Sequence, residues 1–129
     1  MAKKTLNIVE SAYRAVMEEQ DDTVLWLLAA MQAAGAEHTV VLRGNAVNYA
    51  VAEQGAPGLT IGQWKQTQAP RMSRDVLDLI ENRKIAVYVV DEDLTERDID
   101  HRELVSGMKF ISRKELPKLI AEHQLVSHW

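Results

Sequence analysis

Short apolar runs, each followed by polar turn residues, recur along the chain and set its predicted architecture. The clearest run covers residues 85–90, which are apolar apart from the Tyr88 hydroxyl and are followed at once by Asp91, Glu92 and Asp93. A short, β-branched run of this kind is typical of a strand that is buried on both faces of a parallel sheet. The acidic triplet marks the point at which this strand leaves the core.

Four further stretches are predicted to be strands, because their apolar residues are concentrated in short runs bounded by turn residues. They are residues 5–10, 39–42, 108–111 and 125–129, the last as an edge strand. Strand, tight turn and helix recur in that order, which indicates right-handed βαβ units around a parallel sheet. The pattern therefore predicts an α/β fold, with a mostly parallel sheet of about five strands and helices on both faces.

The helix after the first strand has the clearest apolar stripe. Asp21 or Asp22 can cap its free N–H groups, and Gly35 can end it in a left-handed conformation. Its buried face is predicted to consist of Val24, Leu25, Leu28 and Met31, extended by Leu27 and Ala34. Residues 11–20, before this helix, remain open between a loop and a short amphipathic helix.

Later helices are predicted from caps and apolar stripes. One covers residues 46–54 and is closed by Gly55, and one begins at the N-cap Ser73. The last follows Ser112, which pairs with Glu115 as in a capping box.

Two segments interrupt this regular alternation. Residues 94–106 are predicted to form a turn and a short helix at 99–104. Residues 55–72 are punctuated by glycine and proline and are predicted to be one long loop that carries Trp64. Loops of this length are often functional or form an interface. The alternative is a lid that buries Trp64 on its own domain.

Composition places the chain among single-domain globular proteins. Its 129 residues are 47% hydrophobic and 26% charged, which suits one domain with a single core over residues 1–129. The net charge of −4 gives no electrostatic reason to expect nucleic acid as a partner. The apolar runs fall short of the roughly 20 residues of a membrane helix, and no signal-peptide core follows Met1. Cytoplasm is therefore the predicted location, with no membrane partner.

Missing residue types exclude several chemistries. The chain has no cysteine, which excludes disulfides, thiolate metal sites and thiol nucleophiles. It carries no P-loop, no complete dinucleotide-binding glycine pattern and no zinc-binding helix. We therefore predict no metal, no cofactor and no catalytic residue.

Candidate chemistry lies at the predicted carboxyl ends of the strands, where open parallel sheets bind their ligands. Asp91, Glu92 and Asp93 suit either cation binding or general-base catalysis, or a solvated loop that caps the next turn. Arg43 suits either a substrate or an ion pair with this acidic loop. Ser11 offers a hydroxyl nucleophile, but the sequence places no histidine beside it. A pocket at this edge would be lined by Ser11, Tyr13, Arg43, Asn45, Val90, Asp91 and Glu92.

Three stretches of the chain are similar to a known family. They are VVLRGNAV, VYVVDEDLTERDI and ELPKLIAEHQLVSHW, and with the AAG that ends the first long helix they resemble the DsrE/DsrF/DsrH (TusBCD-like) superfamily of sulfur-relay proteins. The resemblance spans most of the chain and is weakest over residues 55–72. It implies a three-layer flavodoxin-like fold and assembly into homo-oligomers, or hetero-oligomers with paralogues. It also implies a part in passing sulfane sulfur between proteins.

One feature of that family is missing here. Aligned on Arg97, the persulfide-carrying cysteine of the DsrE branch falls on Val90, and the glycine after the arginine falls on Asp98. A valine cannot form a persulfide. The resemblance therefore implies a non-catalytic subunit or docking partner of a sulfur-relay assembly, with Trp64 and Trp129 as interface anchors.

The rival hypothesis is a small-molecule or anion-binding protein, either a simple binding protein or an enzyme without thiol chemistry. Its pocket would use Tyr13, Arg43, Asn45, Asp91 and Glu92 at the strand ends. Asn45, at the start of a predicted helix, would offer backbone N–H groups to an anion.

Overall fold

The computed structural model describes residues 4–10, 23–52, 60–65 and 72–129. These residues form seven strands: β1 (Lys4–Val9), β2 (Glu37–Leu42), β3 (Thr60–Ile61), β4 (Trp64–Lys65), β5 (Ala86–Val90), β6 (Lys109–Ile111) and β7 (Leu125–His128). They also form four α-helices: α1 (Thr23–Ala33), α2 (Met72–Glu81), α3 (Asp91–Glu96) and α4 (Leu116–Ala121). Two 3-10 helices cover Gly44–Ala50 and His101–Glu103.

Five strands form one sheet in the order β6-β5-β2-β1-β7, and each of its pairings is parallel. The central strands β1, β2 and β5 are the longer and more apolar ones, although Asn7 interrupts the apolar run of β1, and the short strands β6 and β7 lie at the edges. The predicted α/β fold and its parallel sheet are confirmed. The strand at 85–90 and the edge strand at the end of the chain are confirmed as well.

Successive side chains of the central strands pack into two different apolar layers, because neighbouring residues of a strand point to opposite faces. Val40 and Leu42 of β2 belong to the layer that includes α1, α2 and the first 3-10 helix. Val41 belongs to the other layer, where Leu116 and Leu119 of α4 cover the sheet. The domain is therefore a three-layer, flavodoxin-like α/β structure.

Helix α1 is apolar on both of its sides, and the predicted buried face is partly wrong. The buried positions are Val24, Leu25, Leu28 and Ala29. Leu27 and Met31 are 37% and 42% exposed, and Ala34, just after the helix, is exposed too. Gln32, a polar residue of this helix, is half-buried and does not mark the exposed side, so the sequence pattern does not fix which side faces the sheet. The predicted end of the helix is confirmed, since Gly35 has a φ of +106°.

The predicted helix over 46–54 is instead a 3-10 helix that begins at Gly44 and ends at Ala50. Gly44 has a φ of +56°, which lets the chain turn directly after β2. Beyond Ala50 the backbone pairs with a later segment: the Val105 N–H donates to the Ala50 carbonyl, and the Ala52 N–H to the Glu103 carbonyl, both at 2.8 Å. These long-range hydrogen bonds use the backbone groups that a longer helix would need for its own hydrogen bonds.

The segment predicted as one long loop over 55–72 contains a small hairpin. β3 and β4 pair antiparallel around Gly62, whose φ is +59°. Gly55 lies outside the described residues. Helix α2 begins at Met72, so Ser73 lies inside it and is not its N-cap; the Ser73 hydroxyl donates to the Ala52 carbonyl at 3.3 Å.

The acidic triplet after β5 forms the first turn of α3 rather than a loop. Carboxylates are favourable there because the amino end of a helix carries a partial positive charge. The helix expected at 99–104 is only a single 3-10 turn, His101–Glu103. Glu115 accepts from the Ser112 N–H and hydroxyl, as in the predicted capping box, but α4 starts at Leu116.

No helix in the described ranges has the length and apolar content needed to cross a bilayer.

Candidate functional site

Three neighbouring strands deliver polar residues to the carboxyl edge of the sheet. β1, β2 and β5 are followed directly by Glu10, Arg43 and Asp91. A cavity of about 360 Å³ opens at this edge, in the position where open parallel sheets bind their ligands. It is lined by Glu10, Arg43, Gly44, Asn45, Asp93, Arg97 and Arg113.

Asp93 is buried in the wall of this cavity, and its carboxylate connects residues that come from different elements. It is only 5% exposed, its Oδ2 accepts from the Gly44 N–H at 2.8 Å, and its Oδ1 accepts from the Arg113 guanidinium. Burial acts to raise the pKa of Asp93, but the Gly44 N–H and the guanidiniums of Arg113 and Arg97 outweigh burial and hold the pKa below its ordinary value. With both oxygens bound and a lowered pKa, Asp93 is an anionic anchor rather than a proton acceptor.

Arg113, which follows β6, is compensated by two carboxylates. Its Nη2 donates to Asp93 and to Glu96 Oε1, the latter at 2.7 Å. These bonds raise the pKa of Arg113. Its backbone N–H donates to both carboxylate oxygens of Glu92 at 3.1 Å. Arg113 therefore fastens α3 to the end of β6.

Arg97 is held in a different way, by neutral acceptors. Its Nη2 and Nε donate to Asn45 Oδ1 at 3.0 and 3.4 Å, and its Nη1 donates to the Asp93 backbone carbonyl at 3.2 Å. The carboxylate of Glu96 lies 3.8 Å away and is also bound to Arg113. The guanidinium of Arg97 is thus oriented without being neutralised at close range.

Arg43 forms an ion pair, although not with the acidic triplet. Its Nε lies 3.0 Å from Glu10 Oε1, and Glu10 Oε2 lies 3.1 Å from His128 Nε2. The predicted ion pair between Arg43 and the acidic loop is therefore wrong, because the partner of Arg43 is Glu10. Glu10 comes from the end of β1, so this contact joins neighbouring strand ends.

The residues predicted to line one pocket have different surroundings. Arg43 and Asn45 line the cavity together. Val90 is 1% exposed and belongs to the apolar layer under α4, so its side chain packs into the core. Asp91 binds His101, and Glu92 binds the Arg113 backbone. The other two predicted pocket residues, Ser11 and Tyr13, lie outside the described residues.

Asp91 and His101 form a separate exposed pair at the end of β5. His101 Nε2 lies 2.7 Å from Asp91 Oδ1, and the imidazole stacks on Phe110 with ring centroids 3.9 Å apart. The carboxylate and the phenyl ring together fix the orientation of the imidazole. Neither His101 nor Asp91 lines the cavity at the carboxyl edge.

Sequence reasoning missed Arg97 and Arg113 as parts of the cavity, and it did not single out Asp93 within the acidic triplet. Two signals were available for them. Asp93 and Arg97 are four residues apart, which places them on one side of a helix if the helix starts at the acidic triplet. Arg113 stands just after a predicted strand, so the rule that parallel strands end at one edge applied to it as well.

A second cavity, of about 450 Å³, lies at the opposite, amino edge of the sheet. Its walls include the first residue of β1, Lys4, together with His38 and Lys84. It is larger than the cavity at the carboxyl edge, but loops at amino ends of parallel strands do not usually form the ligand site. Among the described residues, no group of three or more His, Asp or Glu side chains is arranged to hold a metal ion.

The two predicted interface anchors are both partly exposed. Trp64 lies on the hairpin strand β4, with its side chain open to solvent. Trp129 extends the pairing of β7 with β1, since its backbone N–H donates to the Ile8 carbonyl at 2.8 Å. Its indole N–H donates to Asn7 Oδ1 at 3.3 Å. Interface roles for both tryptophans stay predictions.

Two solved structures have a similar fold over the whole chain. The ychN protein from E. coli has a TM-score of 0.73 and 17% sequence identity, with 100% of each chain covered. MTH1491, a protein of unknown function from Methanobacterium thermoautotrophicum, has a TM-score of 0.66 and 12% identity, again with 100% of each chain covered. At these identities the likeness establishes the fold alone. No protein-family model and no curated protein matches the sequence.

Proposed function

We propose that this chain is a non-catalytic, cysteine-lacking relative of the DsrE/DsrF/DsrH proteins that serves as an oligomeric subunit or docking partner in sulfur relay. The resemblance in sequence and the three-layer fold support the family. The complete absence of cysteine supports a role without persulfide chemistry, because only a thiolate can accept and pass on sulfane sulfur in that way. The expected reactive position, Val90, is occupied by a core side chain.

The observation that carries the assembly role is the outer side of α1. Trp26, Leu27 and Met31 are 59%, 37% and 42% exposed, and the other exposed residues of this helix are alanines. At 100° per residue these positions span an arc of about 160°, about half of the helix surface. A helix that is apolar all round is normally buried all round. The outer side of α1 is therefore suited to contact with another protein.

The composition of α1 favours a partner with the same kind of surface. The helix contains no charged residue, so a charged partner would gain nothing from it. Ala30 and Ala33 leave room beside the large Trp26 and Met31 side chains, an alternation that lets two copies of the helix interdigitate across a two-fold axis. A second copy of this chain, or a paralogue with the same fold, is the partner that we propose.

The exposed area is large enough for α1 to form the centre of an interface. Covering the exposed parts of the three large side chains in two copies removes roughly 600 Å² of apolar surface, worth about 15 kcal/mol before the cost of association. A stable interface buries about 1,600 Å² in total. Surrounding residues must supply the remainder, and Trp64 and Trp129 are proposed to contribute to it.

Native mass spectrometry tests the assembly role directly. The chain is measured alone and after mixing with a cysteine-bearing DsrE-like paralogue. We expect a dimer or larger homo-oligomer, or a defined hetero-oligomer with the paralogue. A strict monomer in both samples, at concentrations up to the millimolar range, would contradict the proposal.

The alternative function is binding of a small molecule or an anion at the carboxyl edge. The observation that favours it is the cavity that brings Arg43 and Asn45 together with Arg97. Binding there is compatible with assembly through α1, because the two surfaces are formed by different residues.

A further inference from the structure

We infer that the cavity at the carboxyl edge of the sheet is a binding site for a tetrahedral oxyanion, with Arg97 and Arg43 as its two guanidinium ligands. The ligand class is that of sulfate, thiosulfate and phosphate. This inference does not depend on an oligomeric role, since it uses only residues of one chain.

Arg97 differs from Arg113 and Arg43 in the charge of its hydrogen-bond partners. Arg113 has two carboxylate partners, Asp93 and Glu96, and Arg43 has one, Glu10. Arg97 makes its hydrogen bonds to an amide oxygen and a backbone carbonyl, neither of which carries a charge, and its nearest ion-pair partner, the Glu96 carboxylate, lies 3.8 Å away and is shared with Arg113. A guanidinium does not lose its proton in a protein. One positive charge at this cavity is therefore left without a carboxylate at hydrogen-bond distance.

Arg97 and Arg43 both have N–H groups that no described residue accepts from. A guanidinium has five N–H groups. Bonds to described residues occupy three of those on Arg97, which leaves two. Arg43 uses its Nε toward Glu10, and its Nη1 and Nη2 have no partner among the described residues. Paired N–H groups of this kind match the spacing of two oxygens on one oxyanion.

The Arg97 guanidinium is held in its orientation before any ligand binds. Asn45 Oδ1 and the Asp93 carbonyl hold the plane of the Arg97 guanidinium, and the buried Asp93 carboxylate fixes the Gly44 N–H beside it. The Arg97 side chain is 29% exposed, so it is reachable from solvent while its stem is covered. A ligand would thus bind without first ordering a flexible arginine, which reduces the entropic cost of binding.

The two arginines also decide the shape of the ligand. Arg43 follows β2, whereas Arg97 follows α3, so their guanidiniums reach the cavity from different elements. A tetrahedral oxyanion has three or four oxygens that point in different directions, so separate oxygens can bind the two arginines while the others bind water. The open cavity of about 360 Å³ accommodates such an ion together with water or an attached group.

Isothermal titration calorimetry at constant ionic strength tests this inference. Sodium sulfate, thiosulfate, inorganic phosphate and acetate are titrated separately into the chain, with sodium chloride as the background salt. We expect saturable 1:1 binding of at least one tetrahedral anion, and at least tenfold weaker binding of acetate. The anion that binds most tightly distinguishes a sulfur oxyanion from phosphate.

Variants assign the site. Arg97→Gln is expected to weaken binding at least tenfold, and Asn45→Ala is expected to weaken it by releasing Arg97. Arg102→Gln is the matched control, because Arg102 is exposed, pairs with Asp100 and lies outside the cavity. Circular dichroism melting shows that each variant is folded. Absence of saturable binding to the unmodified chain would overturn the inference, as would equal binding of acetate or unchanged affinity in folded Arg97→Gln and Asn45→Ala.

Discussion

Replacement of Asp93 by asparagine tests whether this residue holds the carboxyl edge together. The variant keeps the size of the side chain but removes its charge, and it can present only one oxygen. The Gly44 N–H, now 2.8 Å from Asp93 Oδ2, and the Arg113 guanidinium then compete for that oxygen. One buried donor is left without a full partner.

The expected loss follows from the environment of each partner. Leaving a buried N–H unsatisfied costs about 1–3 kcal/mol. Arg113 keeps Glu96 and is 48% exposed, so its charge is not stranded in the core. We therefore expect the free energy of unfolding to fall by about 2 kcal/mol near neutral pH, rather than by the 3–5 kcal/mol of a fully buried broken ion pair.

The dependence on pH supplies a second check. The folded-state pKa of Asp93 is lowered, so the unfolded chain takes up its proton first as the solution becomes acidic. The stabilisation that the Asp93 carboxylate provides is complete above its pKa in the unfolded chain. It is lost as the pH falls through the lower pKa that Asp93 has in the folded chain. The difference between the original chain and Asp93→Asn should therefore shrink in acid.

Urea denaturation followed by circular dichroism measures these differences. Asp100→Asn is the control, because the exposed Asp100 side chain accepts only from Arg102 within the described part of the chain. We expect little change in that variant. A loss for Asp93→Asn no larger than that for Asp100→Asn would refute the assignment of Asp93 as the anchor of this edge.

Three other substitutions test separate parts of the structure. Burial lowers the pKa of the His38 imidazole from 6.5, so on acidification the unfolded chain binds a proton at His38 before the folded chain does, and the free energy of unfolding falls as the pH drops below 6.5. His38→Gln should reduce the dependence of this free energy on pH, measured by urea denaturation. An unchanged dependence on pH would contradict this prediction. Val90→Cys should give a thiol that reacts with Ellman's reagent at least 100-fold more slowly in the folded chain than in guanidinium chloride, because the position is 1% exposed; equal rates would contradict burial. Gly107→Ala should lower the free energy of unfolding by about 1–3 kcal/mol, because φ is +91° and the new Cβ would lie 2.8 Å from Ile80 Cγ2. Gly35→Ala is also at positive φ but in open space, so it should lower this free energy by less when both variants are melted under the same conditions.

The sheet could be predicted from the sequence because its signals are local. Each central strand contains a short, largely apolar run that is buried on both faces, and only the buried Asn7 interrupts the run in β1. The edge strand β7 was predicted because the stretch at 125–129 is short. The alternation of strands with helices then restricts the topology to right-handed parallel units.

Other elements depend on contacts that the sequence does not display. The 3-10 helix ends at Ala50 because the following backbone pairs with residues near Val105, more than fifty positions away. The rotation of α1 was misjudged because both sides of the helix are apolar, so a periodic stripe has no polar edge.

The candidate site was only partly visible for a related reason. Arg43 and Asn45 could be placed at a strand end from the pattern alone. The importance of Asp93 over Asp91 and Glu92 depends on which side of α3 faces the first 3-10 helix. That orientation is set by the Gly44 N–H and by Arg113, which are 49 and 20 residues away.

The proposed contact between the outer side of α1 and another chain is tested by one pair of substitutions at alanine positions. Ala30 and Ala121 are both exposed positions in helices, but Ala30 lies on the outer side of α1 and Ala121 lies on α4, in the opposite layer of the domain. A glutamate at the first position would place an unpaired charge in the proposed interface, whereas a glutamate at the second would remain solvated.

The decisive measurement is the native mass of Ala30→Glu and Ala121→Glu across a dilution series. We predict that Ala30→Glu dissociates at a concentration at least 100-fold higher than the original chain does, equivalent to about 3 kcal/mol. Ala121→Glu should assemble as the original chain does. Assembly of folded Ala30→Glu at the same concentrations as Ala121→Glu would contradict the claim that α1 forms the interface.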